Sequence, residues 1–146
     1  MSPTLTTDRL TLSTASAMIS GMTPELRDGR FYFCSTHEED LAAAAYPHAL
    51  GMFREDEGVT LVLSEAHATR LGFALSSPMS QIVLEVYSSL EGVGLTAAVA
   101  AALARDGIAC NMIAAYHHDH VFVPSHSAQA ALRSLHALQS DSSRNG

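Results

Sequence analysis

Lysine is absent from this 146-residue chain, so every one of its eight basic residues is an arginine, and the formal net charge is −7 with histidine neutral. The arginines are scattered, and without a basic patch there is nothing to displace counterions from a phosphate backbone or to attract an anionic lipid surface. Nucleic acid and membrane are therefore not expected as partners. Cysteine is also scarce: Cys34 and Cys110 lie far apart and form neither a CxxC pair nor a disulfide framework, which leaves two reduced thiols as the expectation. No apolar run reaches the roughly 20 residues needed to span a bilayer. The polar segment Met1 to Asp8 lacks the charged-then-apolar pattern of a secretory signal, so the expected location is the cytoplasm.

Catalytic signatures are missing too. There is no nucleophile elbow, P-loop or dinucleotide fingerprint, and no cofactor is expected. Hydrophobic residues make up 47% of the chain and charged residues 16%, enough apolar surface for a core and too little charge for disorder.

What is present reads as alternating helices and strands. Thr7 to Ile19 carries a weak helical pattern, and Pro24 and Asp28-Gly29 then punctuate the chain. Phe31 to Cys34 reads as a strand. Thr36 with Glu39 fits a capping box for a helix through Ala45. His48–Arg54 and Val59–Leu63 read as strands joined by the polar loop Glu55-Asp56-Glu57-Gly58. Ser64 caps a helix over Glu65 to Leu71, and Gly72 ends it. After the linker-like Ser76-Ser77-Pro78, Ile82, Leu84 and Val86 alternate with Val83, Glu85 and Tyr87, the period of a strand with one face on the core.

Leu95, Val99 and Leu103 recur every four residues, with Ala98 and Ala102 filling the stripe of an amphipathic helix that Gly107 ends. Ile108 to Tyr116 is long and apolar enough for a central strand, and Val121 to Val123 forms its hairpin partner. Ser127 caps a last helix with Ala128, Ala131, Leu132, Leu135 and Leu138 on one face. Residues Ser140 to Gly146 read as a polar, frayed tail. Each half thus has the order βαββα, which describes an α+β, ferredoxin-like fold with antiparallel sheets and helices on one face. The divisions are an N-terminal half over residues 1–76, a C-terminal half over 77–140 and a tail over 141–146.

The run Ser88-Ser89-Leu90-Glu91-Gly92-Val93-Gly94-Leu95-Thr96-Ala97-Ala98, with Gly107 to Asn111 and Tyr116 to Pro124, resembles a family of bacterial ACT-domain proteins of uncharacterised function. Gly51 to Val62 and Met22 to Leu26 join the resemblance from the first half, and it covers residues 18 to 138. It implies two tandem ACT-like halves and kinship with the regulatory domains of aspartate kinases and with ACT-built amino-acid sensors. In those relatives an amino acid sits between paired modules, against the loop after the first strand and the end of the hairpin. Regulatory relatives are usually fused to a catalytic domain, and these 146 residues contain no such segment.

Three clusters are candidates for chemistry. In the first, Ser88, Ser89, Glu91, Gly92, Val93 and Gly94 feed the helix that begins at Leu95 and Thr96. Glycine permits close backbone approach, and free amides at a helix start attract a carboxylate; the glycines equally serve a plain tight turn. In the second, His117-His118-Asp119-His120, strand alternation puts His118 and His120 on one face and Asp119 on the other, so the four cannot converge on one metal without a turn. No metal is expected there. The competing readings are a solvated hairpin tip and a ligand-facing role in which Asp119 meets the amino group of the ligand, as the resemblance implies. In the third, Arg54 can clamp a carboxylate and Glu55, Asp56 and Glu57 can receive a cation, or the run is simply a charged loop.

The expectation is a non-catalytic protein that binds a small molecule, an amino acid by resemblance, and pairs as a homodimer because its sheet edges are open. A ligand-free interaction module is the alternative, and a metal protein or enzyme built on the His117–His120 cluster the more distant one.

Overall fold

The computed structural model describes residues 17–85 and 93–145, with side chains through residue 142. They form two compact units: residues up to Arg27 together with those from Gln81 onward, and Asp28–Ser80 between them.

The inner unit contains β2 (Phe31–Thr36), α2 (Glu39–Ala45), a 3-10 turn (Tyr46–His48), β3 (Gly51–Glu55), β4 (Gly58–Ser64) and α3 (Glu65–Arg70). Its strands run β3-β4-β2, all antiparallel, and Phe31 of β2 pairs with Met79. Tyr32, Cys34, Leu61, Leu63, Ala45 and Ala68 form its core, so α2 and α3 cover one face of the sheet. The Ser64 hydroxyl accepts the His67 amide at 3.3 Å, and Gly72 is left-handed with φ +83°, as the sequence predicted. Thr36 acts differently from the expected cap. Its hydroxyl accepts the Glu38 amide at 3.1 Å, and Glu38 takes the N-cap position without a side-chain bond.

The expected loop in the β3–β4 hairpin shortens to the two residues Asp56 and Glu57, since Glu55 pairs with Gly58. Gly58 has φ +146°, and a β-carbon there would lie 2.6 Å from the Thr36 carbonyl oxygen. Only glycine lets the hairpin close so tightly against the end of β2.

The outer unit holds a helical turn α1 (residues 17–21), β1 (Thr23–Leu26), β5 (Met79–Glu85, from Gln81 on), α4 (Leu95–Arg105), β6 (Asn111–Ala114), β7 (Asp119–Pro124) and α5 (Ala128–Asn145). Strand order is β6-β7-β5-β1. Ile82, Leu84, Val121 and Val123 from the sheet, Leu95, Val99 and Leu103 from α4, and Ala131 and Leu135 from α5 make the core. At about 1.5–3 kcal/mol for each fully buried large aliphatic side chain, this cluster is the main source of the unit's stability.

Four features depart from the sequence reading. β1 is a strand although it contains Pro24; among the described residues it pairs with β5 alone, and an edge position tolerates a missing N–H. β5 is buried on both faces from Ser80 to Leu84, where alternation predicted one exposed face. β6 is a short, mostly exposed strand that among the described residues pairs only with β7, not the central strand its apolar content suggested. α5 continues through Asn145, past the Ser140 boundary where the polar composition predicted a tail; Gln139 helps to anchor it by donating to the Ser20 carbonyl at 3.1 Å. Among the described residues no helix is long and apolar enough to cross a membrane.

Candidate functional site

The outer unit gathers its polar residues at the end of β5 and the start of β7. On β5, Gln81, Val83 and Glu85 share the face opposite the helical core, because Ile82 and Leu84 turn inward. The Gln81 amide nitrogen lies 3.0 Å from Nδ1 of His120. Glu85 accepts from Arg27 at 3.2 Å with one carboxylate oxygen and lies 3.6 Å from Nε2 of His118 with the other. Arg27 also pairs with Glu25 at 2.7 Å. The contacts Gln81–His120 and Glu85–His118 step in opposite directions along the two strands, as antiparallel neighbours do. The end of β5 therefore lies at the same end of the sheet as the start of β7.

The sequence candidates fall as follows. Ser88, Ser89, Glu91 and Gly92 lie outside the described residues. Val93 is exposed. Gly94 caps α4 in a left-handed conformation, φ +106°, with no side-chain bond to the first amides. Leu95 is a core residue, so a ligand could reach only its backbone, and Thr96 is exposed.

His118 is half-exposed, yet its Nδ1 is buried without a hydrogen-bond partner among the described residues. Asp119 is only 7% exposed. It begins β7 on the same side as Val121 and Val123, while His120 projects from the opposite face, so alternation separates the acid from its histidine neighbours as anticipated. Burial pushes the Asp119 carboxyl up, opposed by the neighbouring His120 and His118. Burial pushes His120 down, assisted by His118 and Arg27 and resisted by Asp119 and Glu85. His117 stacks edge-on against Tyr116 at 5.0 Å. Among the described residues no three His, Cys, Asp or Glu side chains converge as metal ligands.

Sequence reasoning did not single out Gln81, Glu85 and Arg27 as partners of the histidines. Alternation along β5 put Glu85 on the polar face, but pairing Arg27 with it requires β1, which the sequence reading lacked.

In the inner unit, the Arg54-Glu55-Asp56-Glu57 segment borders a cavity of about 750 Å³ with Thr36–Glu39 and one side of α2. Glu55 is held by the Thr60 hydroxyl at 2.5 Å.

Two ferredoxin-like units in one chain define a tandem α+β protein. The chain matches the ACT-domain family twice, over residues 13–80 and 76–137, and it belongs to that family. It is similar to a Vibrio cholerae protein of unknown function described as a possible transport protein, with 40% identity covering 88% of this chain and 98% of the other, and a TM-score of 0.76. An Agrobacterium tumefaciens protein shares the fold at 16% identity, covering 81% and 89% of the two chains, with a TM-score of 0.68. So does the ligand-free regulatory subunit of aspartate kinase from Thermus thermophilus, at 12% identity, 79% and 95% coverage and a TM-score of 0.63. None of the curated proteins is a significant match. ACT domains are typically regulatory modules that bind small ligands, and two tandem copies support a regulatory role here.

Proposed function

We propose that this protein is a non-catalytic cytoplasmic sensor that binds an amino acid where the chain between β5 and α4 meets the start of β7. The observation that carries this reading is Asp119, a carboxylate 7% exposed and raised by burial, at the start of β7 in the unit whose helix α4 begins after Gly94 without a side-chain cap among the described residues. A buried acid costs stability unless something pairs with it, and an uncapped helix start offers free amides to an anion. A zwitterion satisfies both, its ammonium at Asp119 and its carboxylate at the amides around Gly94. Ser88, Ser89, Glu91 and Gly92 complete the site in this reading, and His118 and His120 border it. Homodimerisation through the open sheet edges accompanies it.

Thermal shift against the twenty amino acids tests the proposal. A ligand at 100 times its dissociation constant adds about 2.7 kcal/mol, which displaces the melting curve visibly. Stabilisation by one or a few amino acids, lost in Asp119→Asn, is the expected result. A flat panel, or a shift that survives the substitution, would overturn it and favour a ligand-free interaction module.

A further inference from the structure

The inner unit has a surface that amino-acid sensing does not use. The helix-facing side of its sheet is covered by α2 and α3 over β2 and β4, but β3 is left largely uncovered and exposed along most of its length. The result is the 750 Å³ trough, with Met52 and Val59 on its floor and Ala42, Ala43 and Tyr46 on its α2 wall. Its apolar surface continues onto the rim, since Tyr46 is 60% exposed, Leu50 54% and Met52 37%. Glu38 and Glu39, just after β2, and Asp56 and Glu57, in the hairpin whose Gly58 packs on Thr36 and His37, gather at one end of the trough. Among the described residues none of these four acids forms an ion pair, whereas Arg30 of the same unit is taken by Glu65 at 2.7 Å. Arg54 is the single arginine lining the trough.

We propose that this trough docks a basic, amphipathic segment of a partner protein. Exposed aromatic and aliphatic side chains next to one another mark an interaction surface, and unpaired acids gathered at one end of it select an occupant of opposite charge. Apolar side chains of the segment fill the trough, and arginines or lysines at that end meet Glu38, Glu39, Asp56 and Glu57. A small cation would neutralise the acids but leave Tyr46 and Leu50 uncovered, which favours a longer occupant. Among the described residues β3 pairs only with β4, so its other edge can add main-chain hydrogen bonds to an extended segment.

The test uses the full chain and a fluorescein-labelled peptide of alternating leucine and arginine, about ten residues long to span a strand of this length. Anisotropy gives the affinity and amide chemical shifts give the location. The expected result is binding that shifts Ala42, Ala43, Tyr46 and residues 52–59. It weakens at least about tenfold in the quadruple variant E38Q/E39Q/D56N/E57Q, which also loses most of the salt dependence. Tyr46→Ala, which keeps every charge, also weakens it.

A glycine–arginine peptide should bind at least about tenfold more weakly, and a leucine–glutamate peptide not at all. Equal binding by the glycine–arginine peptide or by the quadruple variant, shifts elsewhere, or no binding of the leucine–arginine peptide at about 1 mM would overturn the proposal. Displacement of the peptide by spermidine that reproduces the same shifts would replace the protein partner with a small organic cation. Circular dichroism and melting of each variant separate a lost site from a lost fold.

Discussion

Gln81 and His120 lie across neighbouring strands with the amide nitrogen 3.0 Å from the ring Nδ1, and burial at this contact pushes the histidine below its ordinary value. Gln81 is buried and His120 half-buried. Groups facing the ring are His118 and Asp119 on its own strand segment, Glu85 on β5 and Arg27 after β1. Burial is the largest cause of the lowered value, and His118 and Arg27 act in the same direction.

The first prediction follows from the lowered His120 value. The unfolded chain binds a proton on this residue at a higher pH, near the ordinary value of about 6.5, so it binds more protons than the folded chain just below that pH. Stability therefore falls as the solution is acidified from neutral through that window. Urea denaturation between pH 7.5 and about 5 should show the decline, and His120→Gln should flatten it. An unchanged slope in the variant would remove His120 as its source.

Asp119 predicts the opposite sign. Its raised folded value means the native chain holds a proton that the unfolded chain has already released, so at neutral pH the ionised carboxylate is a cost. Asp119→Asn should stabilise the free protein at pH 7 by about 0.5–2 kcal/mol, the usual gain when a strained functional group is relieved. The same substitution should abolish amino-acid binding. Melting curves with and without ligand measure both effects, and destabilisation by the asparagine would show that the carboxylate has a structural partner.

Gly58→Ala should destabilise the chain by more than about 1 kcal/mol. The residue combines a left-handed φ of +146° with a β-carbon position 2.6 Å from the Thr36 carbonyl oxygen, so neither the backbone nor the neighbour can yield cheaply. Gly51→Ala provides the comparison, because its β-carbon would meet nothing within 4 Å. Chemical denaturation of the two variants should separate them clearly.

Leu103→Ala removes a fully buried side chain of α4 from the outer core and should cost about 2–5 kcal/mol. Arg27→Met, by contrast, removes only exposed ion pairs with Glu25 and Glu85 and should change stability by no more than about 1 kcal/mol. Comparable losses in both variants would mean that the charged ladder beside β5 carries far more stability than its exposure allows.

Much of the architecture was legible because local chemistry and fold agree. Ser64 and Gly72 bracket α3 as their capping preferences require, and the Leu95–Val99–Leu103 stripe became the buried face of α4. β1 was illegible because Pro24 is a breaker everywhere except at an edge, and edge position is a property of the assembled sheet. β6 misled for the same reason, since apolar content does not reveal whether a strand has one neighbour or two. In the candidate site, alternation correctly put Asp119 opposite His118 and His120, while the partnership of Glu85 with Arg27 depended on a strand contributed from the other end of the chain.

By itself the sequence determined the order of helices and strands from Phe31 onward, the Ser64 and Gly72 caps and the polar β3–β4 hairpin tip, because periodicity and turn chemistry act over a few residues. Tertiary structure alone decided which strands lie at the edges and that residues up to Arg27 join those from Gln81 onward. It also decided that Asp119 is buried while Met52 is left uncovered. Those outcomes depend on which distant segments pack together, and no local pattern encodes a neighbour dozens of residues away.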